Sequence, residues 1–197
     1  MTSLDTRSTR SSTRRAALLD ELVAVFLAEG FAAFTLDELA RRLHCSKTTL
    51  YGIAASKEQL VVAAVKRFFQ RATTAVEQQA TGPGDHRERI SCYLLTVAAQ
   101  LQPASPAFFA DLAAFAPARE IYQRNTRAAA DRVQQLVREG VAAGTIRPVH
   151  PSFVGVAVAA VMSAIHRGDV TAATGLDDAA AYRELADLVV AGIAPPR

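Results

Sequence analysis

Apolar residues recur along most of the chain with the spacing of an α-helix. In the first such segment they follow the i, i+3, i+4, i+7 pattern, which places them on one face of a helix. These positions are Leu19, Leu22, Val23 and Phe26. A second segment repeats the pattern with Leu36, Leu39, Ala40 and Leu43. No segment alternates convincingly between apolar and polar residues, so the pattern predicts an all-α fold.

Proline and glycine breakers divide this pattern into about nine helices. The expected bounds are residues 14–29, 36–43, 47–54, 57–79, 86–101, 106–115, 117–143, 152–167 and 177–193. The last two helices carry many small residues, and the one at 152–167 is apolar nearly all round. Such a helix is typical of a buried core or of a contact between subunits.

Three helix starts fall close together between residues 31 and 60. Thr35 with Glu38, and Ser56 with Gln59, have the spacing of capping boxes. Ser46 can cap the short helix between them, because its hydroxyl can accept a backbone N–H of the first turn. Two short helices joined by a tight turn, with a third helix directly after, are typical of a helix-turn-helix DNA reader.

The helix that begins at Lys47 divides into two faces. At about 100° per residue, Lys47, Thr48, Tyr51 and Gly52 occupy one continuous arc. That arc offers a cation, a hydroxyl, a phenol and bare backbone, groups that suit a DNA major groove. The opposite arc holds residues 49, 50, 53 and 54.

Residues from the first helix into the fourth resemble the DNA-binding segment of the tetracycline-repressor (TetR) family. The resembling residues are Gly30-Phe31, Thr35, Leu39-Ala40, Ser46-Lys47-Thr48-Thr49-Leu50-Tyr51 and Ser56-Lys57-Glu58-Gln59-Leu60. Relatives usually have glycine where this chain has His44. A left-handed turn there would strain the histidine by roughly 1 kcal/mol. Relatives usually follow the tyrosine with aromatic residues, whereas this chain has Gly52-Ile53-Ala54.

The resemblance implies a ligand-responsive transcription regulator, which we expect to be a repressor. It implies a double-stranded DNA operator, a homodimer formed through the last two helices, and no enzymatic activity. The expected DNA-contacting residues are Thr35, Ser46, Lys47, Thr48, Thr49, Tyr51, Gly52 and Lys57. Arginines 7, 10, 14 and 15 could follow the neighbouring groove. We expect a flexible basic arm at 1–13, a DNA-binding domain at 14–60 and a regulatory domain for ligand binding and dimerisation at 61–197.

Charge and composition agree with this assignment. Residues 1–71 carry 11 Lys or Arg against 7 Asp or Glu, whereas residues 72–197 carry 11 against 12. A basic DNA-binding domain joined to a near-neutral second domain is typical of a protein that binds nucleic acid. Without an apolar leader or a run of about 18 apolar residues, we expect a cytoplasmic protein with no membrane span. We interpret Cys45 and Cys92 as free thiols, with a redox role for Cys45 as the alternative.

The regulatory part should take a small apolar or aromatic effector. Its bulky residues are expected to line a cavity or to fill the core: Tyr93, Phe108, Phe109, Phe115, Tyr122, Phe153 and Met162. We interpret His166-Arg167, just before Gly168, as a cationic helix end that faces the helix dipole. No metal or cofactor spacing appears among the histidines and cysteines. The alternatives are a helical protein-interaction module or a helical enzyme, either with the helix-turn-helix as scaffold.

Overall fold

The computed structural model describes residues 3–195, and for residues 3–12 it describes the backbone but not the side chains. Over this range the chain forms ten helices and no strand. Their bounds are α1 Ser3–Glu29, α2 Leu36–Arg42, α3 Lys47–Tyr51, α4 Lys57–Ala80, α5 His86–Leu101, α6 Pro106–Ala114, α7 Ala116–Ala142, α8 Pro151–His166, α9 Asp169–Thr174 and α10 Asp178–Gly192. The all-α prediction is confirmed.

Beyond shifts of about one residue at several helix ends, the helices differ from the predicted ones in three places. Helix α1 begins at Ser3, so the predicted flexible arm is helical from that residue. Its polar residues lack an apolar period, but no proline or glycine interrupts them. The suggested groove contacts of Arg7 and Arg10 lie outside the described side chains. Helix α3 ends at Tyr51 instead of residue 54. Helix α9 was not predicted, because none of its six residues is buried.

The helix-turn-helix forms from the caps that the sequence predicts. The Thr35 hydroxyl accepts from Glu38 N at 3.2 Å, and the Glu38 carboxylate accepts from Thr35 N at 2.7 Å. At the other end of α2, Cys45 N donates to Ala40 O and His44 N donates to Arg41 O. This is a Schellman ending, which needs a left-handed residue after the cap. His44 takes that position with φ 48°, so the predicted strained turn is confirmed.

The first hydrophobic core joins the helix-turn-helix to parts of α4, α6 and α7. Phe26, Leu39, Leu50 and Leu60 are each no more than 1% exposed. Phe108 of α6 belongs to the same cluster, as do Leu112 and the first turns of α7. The core therefore continues past residue 60, and the functional division proposed there stays a prediction.

The second core lies among the far half of α4 and helices α5, α7, α8 and α10. Its most buried members include Ile90, Leu94, Val133 and Ala186. Helix α8 lies tightly on α7, because a Cβ on Gly155 would come within 2.8 Å of the Ala130 carbonyl oxygen. None of the helices among residues 3–195 has the length and apolar character needed to cross a membrane.

Helix α6 and the residue before it are hydrogen-bonded to the last turn of α1 and to the segment that follows it. The Asp111 carboxylate accepts from the backbone N–H groups of Phe31 at 2.5 Å and Ala32 at 2.8 Å. Just before α6, Ser105 N donates to Leu27 O at 2.7 Å. Gly30 lies in the left-handed region with φ 76°, and a Cβ there would come within 2.5 Å of the Asp111 carboxylate. Only glycine lets the two segments approach this closely.

Candidate nucleic-acid interface and internal cavity

The two arcs of α3 face different environments, as the sequence predicts. Lys47, Thr48, Tyr51 and Gly52 are exposed, and the Tyr51 side chain is 51% accessible. On the opposite arc Leu50 is 1% exposed and packs in the first core. The exposed arc thus presents a cation, two hydroxyls and accessible backbone on one side of a rigid helix. This combination suits phosphates and base edges.

Basic side chains hold the exposed arc in place. Arg15 of α1 donates to the Ile53 carbonyl at 2.7 Å, just after α3. Lys57 donates to the Ala32 carbonyl at 2.8 Å, before α2. Lys47 pairs with Asp37 at 2.6 Å, and both side chains are largely exposed. Such a surface pair contributes little stability, so a phosphate can replace Asp37 as the partner of Lys47.

Two of the predicted hydroxyl contacts, Thr35 and Ser46, also serve as local helix caps. Ser46 Oγ accepts from Thr49 N at 3.1 Å and also lies 2.8 Å from the Thr49 hydroxyl. Thr35 closes the capping box of α2, and its hydrogen bonds to Glu38 lower the pKa of that carboxyl. Nearby, burial and the charge of Glu21 raise the pKa of Cys45. A raised pKa does not favour the thiolate that redox sensing needs.

A cavity of about 100 Å³ lies between α4, α5, α7 and α8. Phe69, Tyr93 and Tyr122 supply aromatic walls, and Met162 closes one side. The polar residues of the lining are Thr73, Glu77, Gln100, Asn125, Thr126 and His166. The cavity therefore combines apolar surface with convergent polar groups, as small-molecule sites usually do.

A partly buried histidine, His166, lines the cavity. His166 Nδ1 lies 2.5 Å from the Tyr122 hydroxyl, and Nε2 lies 2.6 Å from the Tyr182 hydroxyl. Burial lowers the pKa of His166 to about 4. The interpretation of this residue as a cationic helix end is therefore wrong, because the ring is neutral near pH 7. The adjacent Arg167 is exposed and pairs with Asp169 at 2.7 Å.

Another lining residue, Glu77, forms an ion pair with Arg132. Arg132 Nε donates to both carboxylate oxygens of Glu77, at 3.0 and 3.2 Å. Burial and the negative charge of Glu77 together raise the pKa of Tyr93 to about 12. The Tyr93 hydroxyl therefore stays protonated at any ordinary pH.

Only three of the seven predicted cavity residues line this cavity: Tyr93, Tyr122 and Met162. Phe108, Phe109 and Phe115 instead pack in or against the first core, because α6 turns them toward α1 and α4. Phe153 is 73% exposed on the outer face of α8. Its place in the predicted cavity is wrong, because it lies on the side of α8 opposite Met162.

Phe108 and Phe109, which do not line the cavity, connect its wall to the DNA-binding half of the chain. Phe31 and Phe108 have ring centroids 6.2 Å apart, and Phe108 and Phe109 have theirs at 5.8 Å. Phe109 stacks on His166 at 4.6 Å with an angle of 10° between the planes. Continuous ring contacts thus run from the end of α1 to the cavity, and packed rings transmit displacement because interiors have little free volume.

An apolar stripe covers the outer face of α8. Its members are exposed and follow helical spacing: Phe153, Val156, Ala157, Ala160 and Val161. On the neighbouring α10, Leu188 is 72% exposed. We call these six residues the α8–α10 apolar face. Contiguous apolar surface of this kind marks an interaction site in proteins that remain in solution.

Sequence reasoning missed Glu77 and Asp111, and it gave His166 a different role. For Glu77 and Asp111 the sequence shows only an acidic residue on a helix. For His166 a signal existed, because the residue ends an apolar helix and Tyr182 lies in the next predicted helix. That signal says nothing of the partner side chain at residue 122, which comes from tertiary packing.

Part of the chain is similar in sequence to known regulatory proteins. The family described as "Bacterial regulatory proteins, tetR family" matches residues 18–64. The DNA-binding transcriptional repressor TetR of Mycobacteroides abscessus is 39% identical over 56 residues, which are 28% of this chain and 30% of that protein. The match thus spans under a third of that relative's length.

Solved structures resemble the whole fold at low identity. A transcriptional regulator from Saccharomonospora viridis, in complex with choline, has a TM-score of 0.77 at 16% identity and covers 94% of this chain and 100% of its own. A TetR-family regulator from Cytophaga hutchinsonii has a TM-score of 0.73 at 17% identity, with 95% and 98% covered. These likenesses establish the shared fold.

Proposed function

Because the chain belongs to the TetR family of bacterial regulatory proteins, we propose that it represses transcription by binding an operator and that a small effector releases it. Its family and fold neighbours are regulators and not enzymes. The observation that carries the proposal is the exposed arc of α3, which the first core holds rigidly. The protein would act on cytoplasmic DNA.

In this proposal Lys47, Thr48, Tyr51 and Gly52 enter the major groove. Thr35, Ser46, Thr49 and Lys57 contact the flanking phosphates, which fix the register of the protein on the duplex. Lys57 has three N–H donors and uses one on the Ala32 carbonyl, so it keeps donors for a phosphate. Arg15 would add charge to the same side.

We further propose that a second copy covers the α8–α10 apolar face. Two copies related by a twofold axis would present two α3 helices, and the operator would then be nearly palindromic. The apolar stripe supports this arrangement, because its five α8 residues would otherwise lie in water.

The effector would bind in the cavity between α4, α5, α7 and α8. A bound molecule that displaces His166 or Phe109 would also displace α6, and Asp111 of α6 is hydrogen-bonded to the segment just after α1. The effector shifts the DNA-binding equilibrium only by its differential affinity for the two states. Couplings of this kind usually change affinity by about 5- to 150-fold.

One candidate effector class follows from the cavity and a structural neighbour together. The Saccharomonospora viridis regulator was solved with choline, and this cavity has three aromatic rings and the Glu77 carboxylate on its wall. Aromatic faces attract quaternary ammonium groups. Choline is therefore the first compound to test for release of DNA.

The test of DNA binding starts with selection of bound duplexes from random DNA. Affinity for the selected operator should fall steeply as salt rises, because phosphate contacts release counterions. Lys47→Ala and Tyr51→Ala should each weaken binding by about tenfold, as lost groove contacts usually do. Lys66→Ala is the matched control, because it removes the same charge from an exposed position on α4. Equal binding by all three variants and the parent would contradict the assignment of the face.

Repression itself is tested in a transcription assay with the selected operator between promoter and start site. The parent should lower transcript yield, and Tyr51→Ala should not. Transcript that rises on adding the parent would make the protein an activator.

A further inference from the structure

The hydrogen bonds of His166 can be assigned proton by proton. The ring is partly buried in the cavity wall, stacked on Phe109, and in contact with a tyrosine hydroxyl at each nitrogen. Its pKa of about 4 makes it neutral near pH 7. A neutral imidazole carries one N–H, so one nitrogen donates and the other accepts. One tyrosine therefore donates to His166, and the other accepts from it.

Burial decides which tyrosine donates. Tyr182 is 1% exposed, and the contact with His166 is the one hydrogen bond that its hydroxyl makes within residues 13–195. If Tyr182 accepted, its own proton would be buried without a partner, which is costly. Tyr182 therefore donates to Nε2. The ring N–H is then on Nδ1 and donates to the Tyr122 hydroxyl oxygen.

This assignment leaves the Tyr122 proton free to point elsewhere. Tyr122 lines the cavity, and the hydroxyls of Thr126 and Ser163 are close enough to lower its pKa against the effect of burial. An acceptor in the cavity can compete for the Tyr122 proton, because the alternatives are neutral hydroxyls. The Tyr182–His166–Tyr122 chain thus ends in an O–H donor at the cavity wall.

The charges on the wall restrict the occupant further. Among the residues that line the cavity, Glu77 is the one with a formal charge at neutral pH, and that charge is negative. Arg132 pairs with this carboxylate but does not itself line the cavity. An anion would lie near a carboxylate without a cation on the wall to bind it, so the lining disfavours anions.

We propose that the cavity binds a small molecule that has a hydrogen-bond acceptor oxygen and no negative charge, and that Tyr122 donates to this oxygen. His166 and Tyr182 act as positioning residues, because they direct the Tyr122 proton into the cavity. The inference rests on the proposed effector site and specifies its ligand class. The volume of about 100 Å³ suits a compact molecule, since a 150 Å³ cavity in another protein holds benzene.

The test compares two probes of the same shape by calorimetric titration. Cyclobutanone, which is smaller than benzene, has an acceptor oxygen, and methylenecyclobutane has a CH₂ group in its place. The parent should bind the ketone about tenfold more tightly, as expected for one buried hydrogen bond of about 1.4 kcal/mol. Cyclobutanecarboxylate, the anionic probe, should bind more weakly than the ketone.

Two conservative variants examine the chain. Tyr122→Phe should abolish the preference for the ketone, because it removes the donor. Tyr182→Phe should reduce the preference although residue 182 does not line this cavity, because Nδ1 can then accept the Tyr122 proton. The ratio of the two affinities is informative because a general loss of packing would weaken both probes alike. Circular dichroism and DNA binding confirm that each variant is folded.

Each result of these titrations tests one part of the proposal. Equal affinity of the parent for ketone and alkene, or no binding of the ketone, overturns the inference if the same preparation binds DNA. An unchanged ratio in Tyr122→Phe removes Tyr122 as the donor. An unchanged ratio in Tyr182→Phe removes the positioning chain. A parent that binds no DNA overturns the proposed function instead.

Discussion

Mild acid should destabilise this protein through His166. The unfolded chain binds a proton at this residue below about pH 6.5, whereas the folded protein does so only below about 4. Between these values the unfolded state holds more protons, so the free energy of unfolding falls as the pH falls. One pKa unit corresponds to about 1.36 kcal/mol. The expected loss attributable to His166 is therefore about 2 kcal/mol between pH 7.5 and 5, and about 3 kcal/mol by pH 4.

The assay is urea unfolding at a series of pH values and one protein concentration, because dimerisation would make stability depend on concentration. His166→Gln removes the titrating group and keeps a donor and an acceptor. Its stability should vary less with pH than that of the parent, by about 2 kcal/mol over the same interval. The control variant His150→Gln changes a histidine at the exposed start of α8 and retains His166. It should keep the fall in the free energy of unfolding at low pH that His166 causes. Parallel profiles for the parent and His166→Gln would refute the reasoning.

Three further predictions concern the dimer, the junction and the turn. Leu188→Asp places a charge on the α8–α10 apolar face and should yield a folded monomer in sedimentation; a variant that stays dimeric would show that this face is not the contact. Asp111→Ala leaves the N–H groups of Phe31 and Ala32 without their carboxylate and should cost about 2 kcal/mol in urea unfolding, whereas unchanged stability would contradict the junction. His44→Gly should raise the free energy of unfolding by about 1 kcal/mol, because glycine adopts φ 48° without strain; a destabilised variant would mean that the histidine side chain contributes more than its backbone strain costs.

The helix-turn-helix was predictable because its signals are local. The Thr35–Glu38 box and the Ser46 cap lie within four residues of sequence, and each forms as expected. The division of α3 into an exposed and a buried arc follows from helical periodicity alone. The turn at His44 was predictable as a strained position, although only the resemblance to relatives with glycine drew attention to it.

The cavity was not predictable in the same way. Whether a phenylalanine lines a cavity, fills a core or lies in water depends on the rotation and placement of its helix. Phe109 and Phe153 occur in similar apolar segments, yet one stacks on His166 and the other is 73% exposed. His166 is neutral because burial lowers its pKa, and the contacts of its ring come from Tyr122 on α7 and Tyr182 on α10. The residue pattern of a single helix does not show which side chains of other helices it will contact.

Exchange of parts between related regulators is constrained by the junction at α6. The first core includes Phe108 and Leu112 of α6, and Asp111 satisfies two N–H groups after α1. A chimera that carries only residues 14–60 onto another protein's regulatory half would place unfamiliar side chains against Phe31. It would also replace a carboxylate that fits only beside Gly30. A segment that can be exchanged between proteins must therefore include α6 with its aspartate. Its limits are set by the first hydrophobic core and not by a single boundary along the sequence.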